Sequence, residues 1–159
     1  MKIKTGIGFD VHKFKDGEFF TLGGIEIPFE KSCIAHSDGD VLLHAICDAL
    51  LGALSMRDIG YHFPDKASEY KDIDSKILLK KVVEMVKDKG FEISNIDSIV
   101  CLERPKLSDK IDRMRKTISE LIEMDIEDIS IKATTTETLG FEGRGEGISA
   151  YANVLIFKN

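Results

Sequence analysis

Two hydrophobic periodicities interleave along the chain, and this pattern constrains the fold more than any other feature of the sequence. Apolar residues recur at helical spacing in three segments, 37–53, 74–89 and 108–124. Extended or alternating segments, typical of strands, lie at 2–14, 19–27, 95–102, 129–133 and 148–156. The order β-β-α-α-β-α-β-β favours an α+β fold, in which helices pack on one face of a mixed sheet.

Length and composition indicate one domain. The 159 residues contain no internal repeat and no Pro/Gly/Ser-rich linker, so a single domain over 1–159 is expected. No apolar stretch approaches the roughly 18 to 20 residues of a membrane span, and the first residues lack the apolar segment of a signal peptide. We therefore expect a cytoplasmic protein without a membrane partner. The net charge of -6 disfavours nucleic acid as a partner.

The first candidate site combines Asp10 and His12 with His44. Strand alternation places Asp10 and His12 on one face, where the first helix can add His44. Two imidazoles and a carboxylate can hold a divalent metal with an open coordination position, either catalytic zinc or non-haem Fe(II). The alternative is that His44 is a core histidine and that the other two side chains are solvated at a strand end.

The helix that carries His44 has a polar stripe, because Asp40, His44 and Asp48 recur every fourth residue. A carboxylate in this stripe can orient a metal-binding imidazole by bonding the ring nitrogen that does not bind the metal. A solvated helix face is the alternative. At the helix entry, His36 and Ser37 are placed to meet an anion, although simple capping by Ser37 or Asp38 also explains that segment.

A second candidate site follows the strand at 129–133. Three consecutive hydroxyl side chains and a guanidinium, in a segment rich in glycine, predict a phosphate cradle formed by Thr134, Thr135, Thr136 and Arg144. Glu137 beside these donors indicates a second, magnesium-like cation held mainly by substrate oxygens. A glycine-rich hairpin loop is the alternative. Loops at 58–60, 63–65 and 103–106 are further places for binding groups.

Taken together, these motifs resemble the 2-C-methyl-D-erythritol 2,4-cyclodiphosphate synthase family of the non-mevalonate isoprenoid pathway. The matching segments are GFDVH at 8–12, AHSDGDVLLHA at 35–45, DIG at 58–60, FPD at 63–65 and KATTTETLGFEGRGEG at 132–147. The resemblance implies conversion of 4-diphosphocytidyl-2-C-methyl-D-erythritol 2-phosphate to the cyclic 2,4-diphosphate with release of CMP. The 2-phosphate oxygen of the substrate is the implied nucleophile.

The resemblance also implies roles for individual residues. One Zn2+ per subunit is expected on Asp10, His12 and His44, and Mg2+ or Mn2+ on Glu137 with the substrate diphosphate. His36 and Thr135 match residues that stabilise the transition state. The implied substrate-binding residues are Asp10, Val11, His12, His36, Ser37, Asp58, Ile59, Gly60, Phe63, Pro64, Asp65, Lys66, Ala67, Leu102, Glu103, Arg104, Pro105, Lys106, Leu107, Ser108, Thr134, Thr135, Thr136, Glu137, Phe141 and Arg144.

The family resemblance further implies a homotrimer whose active sites lie between subunits. Phe141, Arg144 and Glu146 match positions near a central cavity that can hold an isoprenoid diphosphate. The segment 102–104 departs from the family, because bulky and charged residues stand where small or amide side chains are common. Two other functions stay open at this point: a non-haem iron oxygenase, and a non-catalytic trimer that senses metal or isoprenoid diphosphate.

Overall fold

Helices and strands interleave in the computed structural model, which describes residues 1–64 and 73–159. The described strands are β1 (Lys2–Asp16), β2 (Phe19–Leu22), β3 (Ile25–Pro28), β4 (Lys31–Ile34), β5 (Glu92–Cys101), β6 (Ile129–Thr134) and β7 (Gly147–Lys158). The described helices are α1 (Val41–Ala53), α2 (Ile59–His62), α3 (Ser75–Asp88), α4 (Ile111–Ile122) and α5 (Gly140–Gly143). In this part of the chain, no helix is long and apolar enough to span a membrane.

Five of the strands form one sheet in the order β4-β1-β7-β5-β6. The pair β5 and β6 is parallel and the other pairs are antiparallel, so the prediction of a mixed sheet is confirmed. Strands β2 and β3 form a separate hairpin whose turn is Gly23-Gly24, and both glycines have positive φ. The sequence indicated this turn but not β4, which is only four residues long.

The helices form a layer on one face of the sheet, as expected. Helix α1 lies on β1 and β7, α3 packs against α1, and α4 packs against β6. Because the sheet lies on one side of α1 and other elements lie on the other, this helix is buried almost all round. Helix α4 instead buries a single stripe formed by Met114, Ile118 and Ile122.

Two glycines of β1 determine how closely α1 approaches the sheet. A Cβ atom on Gly6 would lie 1.9 Å from the carbonyl oxygen of Ala49, and one on Gly8 would lie 1.9 Å from that of Ala45. No side chain fits into either space. The helix backbone therefore rests directly on β1, and His44 is carried down to the strand that holds Asp10.

The boundaries of two elements differ from the prediction. Helix α1 begins at Val41 and is capped by Asp40, whose carboxylate accepts from the backbone N–H of Leu43 at 3.0 Å, so capping by Ser37 or Asp38 is wrong. The Asp40 carboxylate also accepts from the N–H groups of Gly23 and Gly24, which a local sequence pattern cannot reveal. Strand β5 begins at Glu92 instead of residue 95, because an irregularity near Ile93 interrupts the alternation.

The face of the sheet opposite the helices carries exposed apolar side chains. Ile7 is 72% exposed, Phe9 47%, Tyr151 44% and Val11 42%. The rings of Phe9 and Tyr151 lie 4.7 Å apart, which makes this patch continuous across β1 and β7. We call these four residues the outer sheet patch. Contiguous exposed apolar surface of this kind marks an interaction site.

Candidate metal centre and active site

Three side chains from β1 and α1 converge on one point. Nε2 of His12 lies 3.1 Å from Oδ2 of Asp10, Nδ1 of His44 lies 2.9 Å from the same oxygen, and the two nitrogens are 3.2 Å apart. These three atoms form the one group in the described residues that has the composition and spacing of a metal site. This convergence does not support the alternative that His44 is only a core histidine.

Local structure explains the convergence. Asp10 and His12 are two residues apart in β1, so both point toward α1, while Val11 between them points to the opposite face and belongs to the outer sheet patch. His44 lies in the first turns of α1 and is 5% exposed. The imidazole is thus held between helix and strand, and its Nδ1 faces the strand.

The three groups shift one another's protonation. Burial raises the pKa of the Asp10 carboxyl, but hydrogen bonds with His12 and His44 outweigh burial, and the pKa falls well below its usual range. Burial lowers the pKa of His44, but the hydrogen bond and charge of Asp10 raise it by more. The site therefore favours positive charge between the three side chains, whether protons or a metal cation supply it.

The two carboxylates of the polar stripe have other partners than His44. Asp40 caps α1, as described above, and Oδ1 of Asp48 accepts from the backbone N–H of Ile59 at 2.8 Å. The prediction that one of them orients the imidazole is wrong. Nε2 of His44 instead lies 2.8 Å from Oγ of Ser75 and 3.3 Å from Oγ of Ser37.

The metal-site atoms open into a pocket of about 270 Å³, which we call the metal pocket. Besides the three converging residues, its walls are formed by Ile34, Ala35, His36, Ser37, Ile59, Gly60, Phe63, Ile73 and Leu78. The lining combines polar groups with apolar side chains. This arrangement suits a small phosphorylated or polyol ligand.

A second pocket, of about 350 Å³, lies beyond the ends of β5 and β6. We call it the turn pocket, and it is lined by Leu102, Glu103, Pro105, Lys106, Leu107, Ser108, Ile111, Ala133, Thr134 and Thr135. Oε2 of Glu103 is the buried side-chain oxygen in the described part of the chain that lacks a hydrogen-bond partner. Arg104 is not part of the lining, since its guanidinium pairs with Glu30 at 2.9 Å.

The two pockets are separate within one chain. Asp10 pairs with Ala150 on β7, Ala150 with Val100 on β5, and Val100 with Ala133 on β6. Neighbouring strands are about 4.8 Å apart, so Asp10 and Ala133 lie roughly 14 Å apart across the sheet. Among the described residues, the two linings have no member in common.

The predicted phosphate cradle is exposed, and its polar groups bond to one another. The hydroxyl of Thr136 donates to the Leu139 carbonyl at 2.5 Å, and the hydroxyl of Thr135 lies 3.5 Å from a carboxylate oxygen of Glu137. Nε of Arg144 donates to Glu146 at 2.8 Å. Glu137 has φ of 54°, a left-handed backbone conformation that is uncommon outside glycine. Such conformations cluster at ligand-binding sites.

A cysteine nucleophile is not available beside the metal pocket. Burial, together with the charges of Asp40 and Asp10, raises the pKa of the Cys33 thiol to about 12. Burial likewise raises the pKa of Cys47 well above its usual value. A thiolate at either position would be rare at neutral pH, so neither cysteine is suited to act as a nucleophile in this pocket.

Comparison with known proteins identifies the family. The model of the YgbB family matches residues 3–157. The chain belongs to the YgbB family. A relative from Bacteroides fragilis named 2-C-methyl-D-erythritol 2,4-cyclodiphosphate synthase is 64% identical over 156 residues, which are 98% of each chain. The chain therefore has the cyclodiphosphate synthase activity of isoprenoid biosynthesis, which is a lyase reaction. Neither the iron oxygenase nor the non-catalytic sensor is favoured.

Solved structures agree with this assignment. IspF of Plasmodium falciparum, in a CDP complex, is 37% identical with a TM-score of 0.87, and the match covers 99% of this chain and 97% of that one. A 2C-methyl-D-erythritol-2,4-cyclodiphosphate synthase described as a bound form with CDP is 30% identical with a TM-score of 0.90, and the match covers 97% and 100%. Both structural matches thus cover nearly the whole chain.

The structure places the family-implied residues in three groups. The metal pocket contains His36, Ser37, Ile59, Gly60 and Phe63, and the turn pocket contains most of 102–108. The third group lines neither pocket and consists of Val11, Asp58, Pro64, Arg104, Thr136, Glu137, Phe141 and Arg144. Asp65, Lys66 and Ala67 lie outside the described residues.

Two pocket-forming features were not anticipated from the sequence. Ile73 and Leu78 line the metal pocket although no motif includes them, and Ser75 contacts His44 from 31 residues away. Helical spacing identified Leu78 as buried without indicating what it faces. Asp58 was expected to face the substrate, but in the structure its carboxylate caps α2 by accepting from the N–H of Tyr61 at 2.9 Å.

Proposed function

We propose that this chain converts 4-diphosphocytidyl-2-C-methyl-D-erythritol 2-phosphate into 2-C-methyl-D-erythritol 2,4-cyclodiphosphate and CMP. In this reaction an oxygen of the 2-phosphate attacks the β-phosphorus, and the bond from that phosphorus to the oxygen shared with CMP breaks. The nucleophile belongs to the substrate, so the protein has to orient two phosphates and neutralise their charge. The convergence of Asp10, His12 and His44 in a pocket of suitable size carries this proposal.

The three converging residues fit a zinc ion, and we propose one Zn2+ per subunit. Tetrahedral zinc with ligands at about 2.0 Å separates its ligand atoms by about 3.3 Å. The separations of 2.9 to 3.2 Å between the three side-chain atoms are close to this value. A bound zinc ion supplies Lewis-acid polarisation of phosphoryl oxygens.

The remaining residues of the metal pocket have separate tasks in this proposal. His36 and Ser37 offer donors to phosphate oxygens next to the metal site. Ile59, Gly60 and Phe63 form the wall against which the erythritol part lies, where apolar surface excludes water. The hydroxyl of Thr135, which lines the turn pocket, is proposed to come from a neighbouring subunit and to join His36 in stabilising charge on the transferred phosphorus.

The turn pocket is the proposed cytidine site. Its lining is mostly apolar and includes Leu102, Leu107 and Ile111, which suits the face of a base. The bound CDP named for two solved relatives supports a cytidyl ligand. Glu137 is the proposed ligand of Mg2+ or Mn2+, because its exposed carboxylate stands beside the Thr135 hydroxyl at the phosphate cradle.

We further propose a cytoplasmic homotrimer with active sites between subunits. The metal pocket and the turn pocket lie roughly 14 Å apart across the sheet of one chain, as estimated from strand spacing. A neighbouring subunit can bring its own turn pocket to the metal pocket. The outer sheet patch supplies apolar surface for this association. Phe141 and Arg144 are proposed to lie near a central cavity that binds an isoprenoid diphosphate.

The test is zinc-dependent release of CMP from the cytidyl substrate. Purified protein is stripped with a chelator and assayed under anaerobic conditions without iron, before and after zinc is restored. Turnover that returns with zinc supports the proposal. Absence of CMP at any enzyme concentration, with zinc and magnesium present, contradicts it. Activity that requires iron and oxygen would instead indicate the oxygenase.

A further inference from the structure

A chain of hydrogen bonds connects His44, through the buried side chain of Ser75, to the half-buried carboxylate of Asp38, which the proposed reaction does not use. Oγ of Ser75 lies 2.8 Å from Nε2 of His44, and the same hydroxyl donates a short hydrogen bond to Asp38. Ser75 is fully buried, so water does not compete for its hydroxyl. The Asp38 carboxylate also accepts from the backbone N–H of Ser75 at 3.0 Å and of Asp40 at 3.2 Å.

With an ionised Asp38 carboxylate, the number of available protons gives a direction to the bonds between Asp38, Ser75 and His44. An ionised carboxylate only accepts, so the single hydroxyl proton of Ser75 points to Asp38. The Ser75 oxygen then has only lone pairs to offer, and Nε2 of His44 has to donate to it. A proton held on Nε2 leaves Nδ1 as the ring nitrogen that faces Asp10 and His12, where either a proton or a metal cation can occupy it.

The Asp38 carboxylate also serves the start of α3, because it accepts the backbone N–H of Ser75, the first residue of that helix. The Ser75 hydroxyl caps neither helix, since α1 is capped by Asp40 and α3 by Asp74. Ser37 also approaches Nε2 of His44, but at 3.3 Å, and its hydroxyl already accepts from the N–H of Gly39. The bond to Ser75 is the shorter of the two and the better shielded.

We infer that Asp38 and Ser75 are positioning residues that hold His44 in the orientation and tautomer that leave Nδ1 free to bind the metal. This inference rests on the metal site proposed above. Hydrogen-bonded partners behind a metal-binding histidine fix its ring and typically change metal affinity by about 10- to 100-fold when they are removed. Here the partner is a hydroxyl backed by a carboxylate that comes from a different part of the chain.

The test compares Ser75→Ala with Ser98→Ala. Ser98 is also a buried serine, 2% exposed, whose hydroxyl donates to the Ser130 carbonyl far from the metal pocket, so it controls for the loss of a buried hydroxyl. Zinc affinity is measured by competition with a chromophoric chelator. We expect affinity to fall about 10- to 100-fold in Ser75→Ala and to stay unchanged in Ser98→Ala. Asp38→Asn, which is isosteric, should weaken zinc binding as well.

A second readout is the NMR signal of the His44 Nε2 proton, recorded with zinc and again after chelation. The bond to Ser75 should protect this proton from exchange in the parent and in Ser98→Ala, and the signal should broaden or vanish in Ser75→Ala. Unchanged zinc affinity and an unchanged signal in Ser75→Ala and Asp38→Asn would overturn the inference. If the parent binds no zinc, the proposed function fails, and the proton signal alone then decides on the positioning residues.

Discussion

The metal pocket and the phosphate cradle of the same chain are built in opposite ways. The metal-binding side chains come from β1 and α1, are half-buried or buried, and are held by one another and by Ser75. The cradle between Thr134 and Glu146 is one continuous segment, and the side-chain hydrogen bonds of its threonines and of Arg144 join residues at most three positions apart. Packing of the fold therefore preorganises the side chains of the metal pocket. The cradle exposes its donors, which bond to carbonyl and carboxylate oxygens of the same segment.

The largest effect is expected from His44→Ala. This change removes the metal-binding group contributed by the helix, and metal catalysis is worth several kcal/mol, so CMP release should fall at least about 10³-fold. Zinc content per chain should fall in parallel, as elemental analysis can show. His62→Ala is the control, since His62 bonds the Met56 carbonyl and contacts the rings of Tyr61 and Phe63 but does not belong to the metal-site group, so zinc content should stay unchanged. Full activity of His44→Ala would contradict a catalytic role for the metal pocket.

Next in size is the effect of Gly8→Ala on folding. The new Cβ would meet the Ala45 carbonyl oxygen at 1.9 Å, so α1 has to move away from β1, and we expect a loss of about 3 kcal/mol in the free energy of unfolding. Urea unfolding measures it. The control is Gly52→Ala on α1, where the nearest atom is 3.7 Å away and a helical alanine should stabilise by about 0.5 kcal/mol. Equal effects would contradict direct contact between helix and strand.

Thr135→Val tests the exposed phosphate cradle. Loss of one hydroxyl donor to the transferred phosphate should lower CMP release about 10- to 100-fold. Because Thr135 is exposed, the free energy of unfolding should change by less than about 0.5 kcal/mol. Thr117→Val, a helical threonine whose hydroxyl bonds the Arg113 carbonyl, should leave activity intact. A large loss of stability in Thr135→Val would mean that the cradle is structural.

The smallest effect is expected from Glu30→Gln. Its ion pair with Arg104 joins side chains that are 62% and 70% exposed, and exposed pairs contribute at most about 1 kcal/mol. Arg104 lies outside the turn pocket, so CDP affinity, measured by calorimetry, should change less than about two-fold. A larger change would show that this pair shapes the cytidine site.

The sequence could predict those parts of the site that depend on short-range periodicity. Alternation placed Asp10 and His12 on one strand face, and helical spacing placed His44 on the helix that covers it. What it could not predict are contacts between distant segments. Asp40 has the spacing of a group that orients His44, yet it binds the Gly23-Gly24 turn, while Ser75, from another helix, takes the place behind the imidazole.

The same limit applies at the level of the fold. The interleaved helical and strand periodicities indicated the α+β class and the helical layer. The position of β7 between β1 and β5, however, depends on contacts between segments distant in sequence. That position is what separates the metal pocket from the turn pocket. Sequence motifs predicted two candidate sites, but they carry no information on which strands lie between them.

Anomalous diffraction at the zinc absorption edge, from crystals of the purified protein, tests the central claim most directly. We predict one zinc peak per chain, within about 2.0 to 2.2 Å of Oδ2 of Asp10, Nε2 of His12 and Nδ1 of His44. The peak should be absent from His44→Ala crystals. Zinc-saturated crystals with no peak at this position, or with the metal bound to other side chains, would contradict the account.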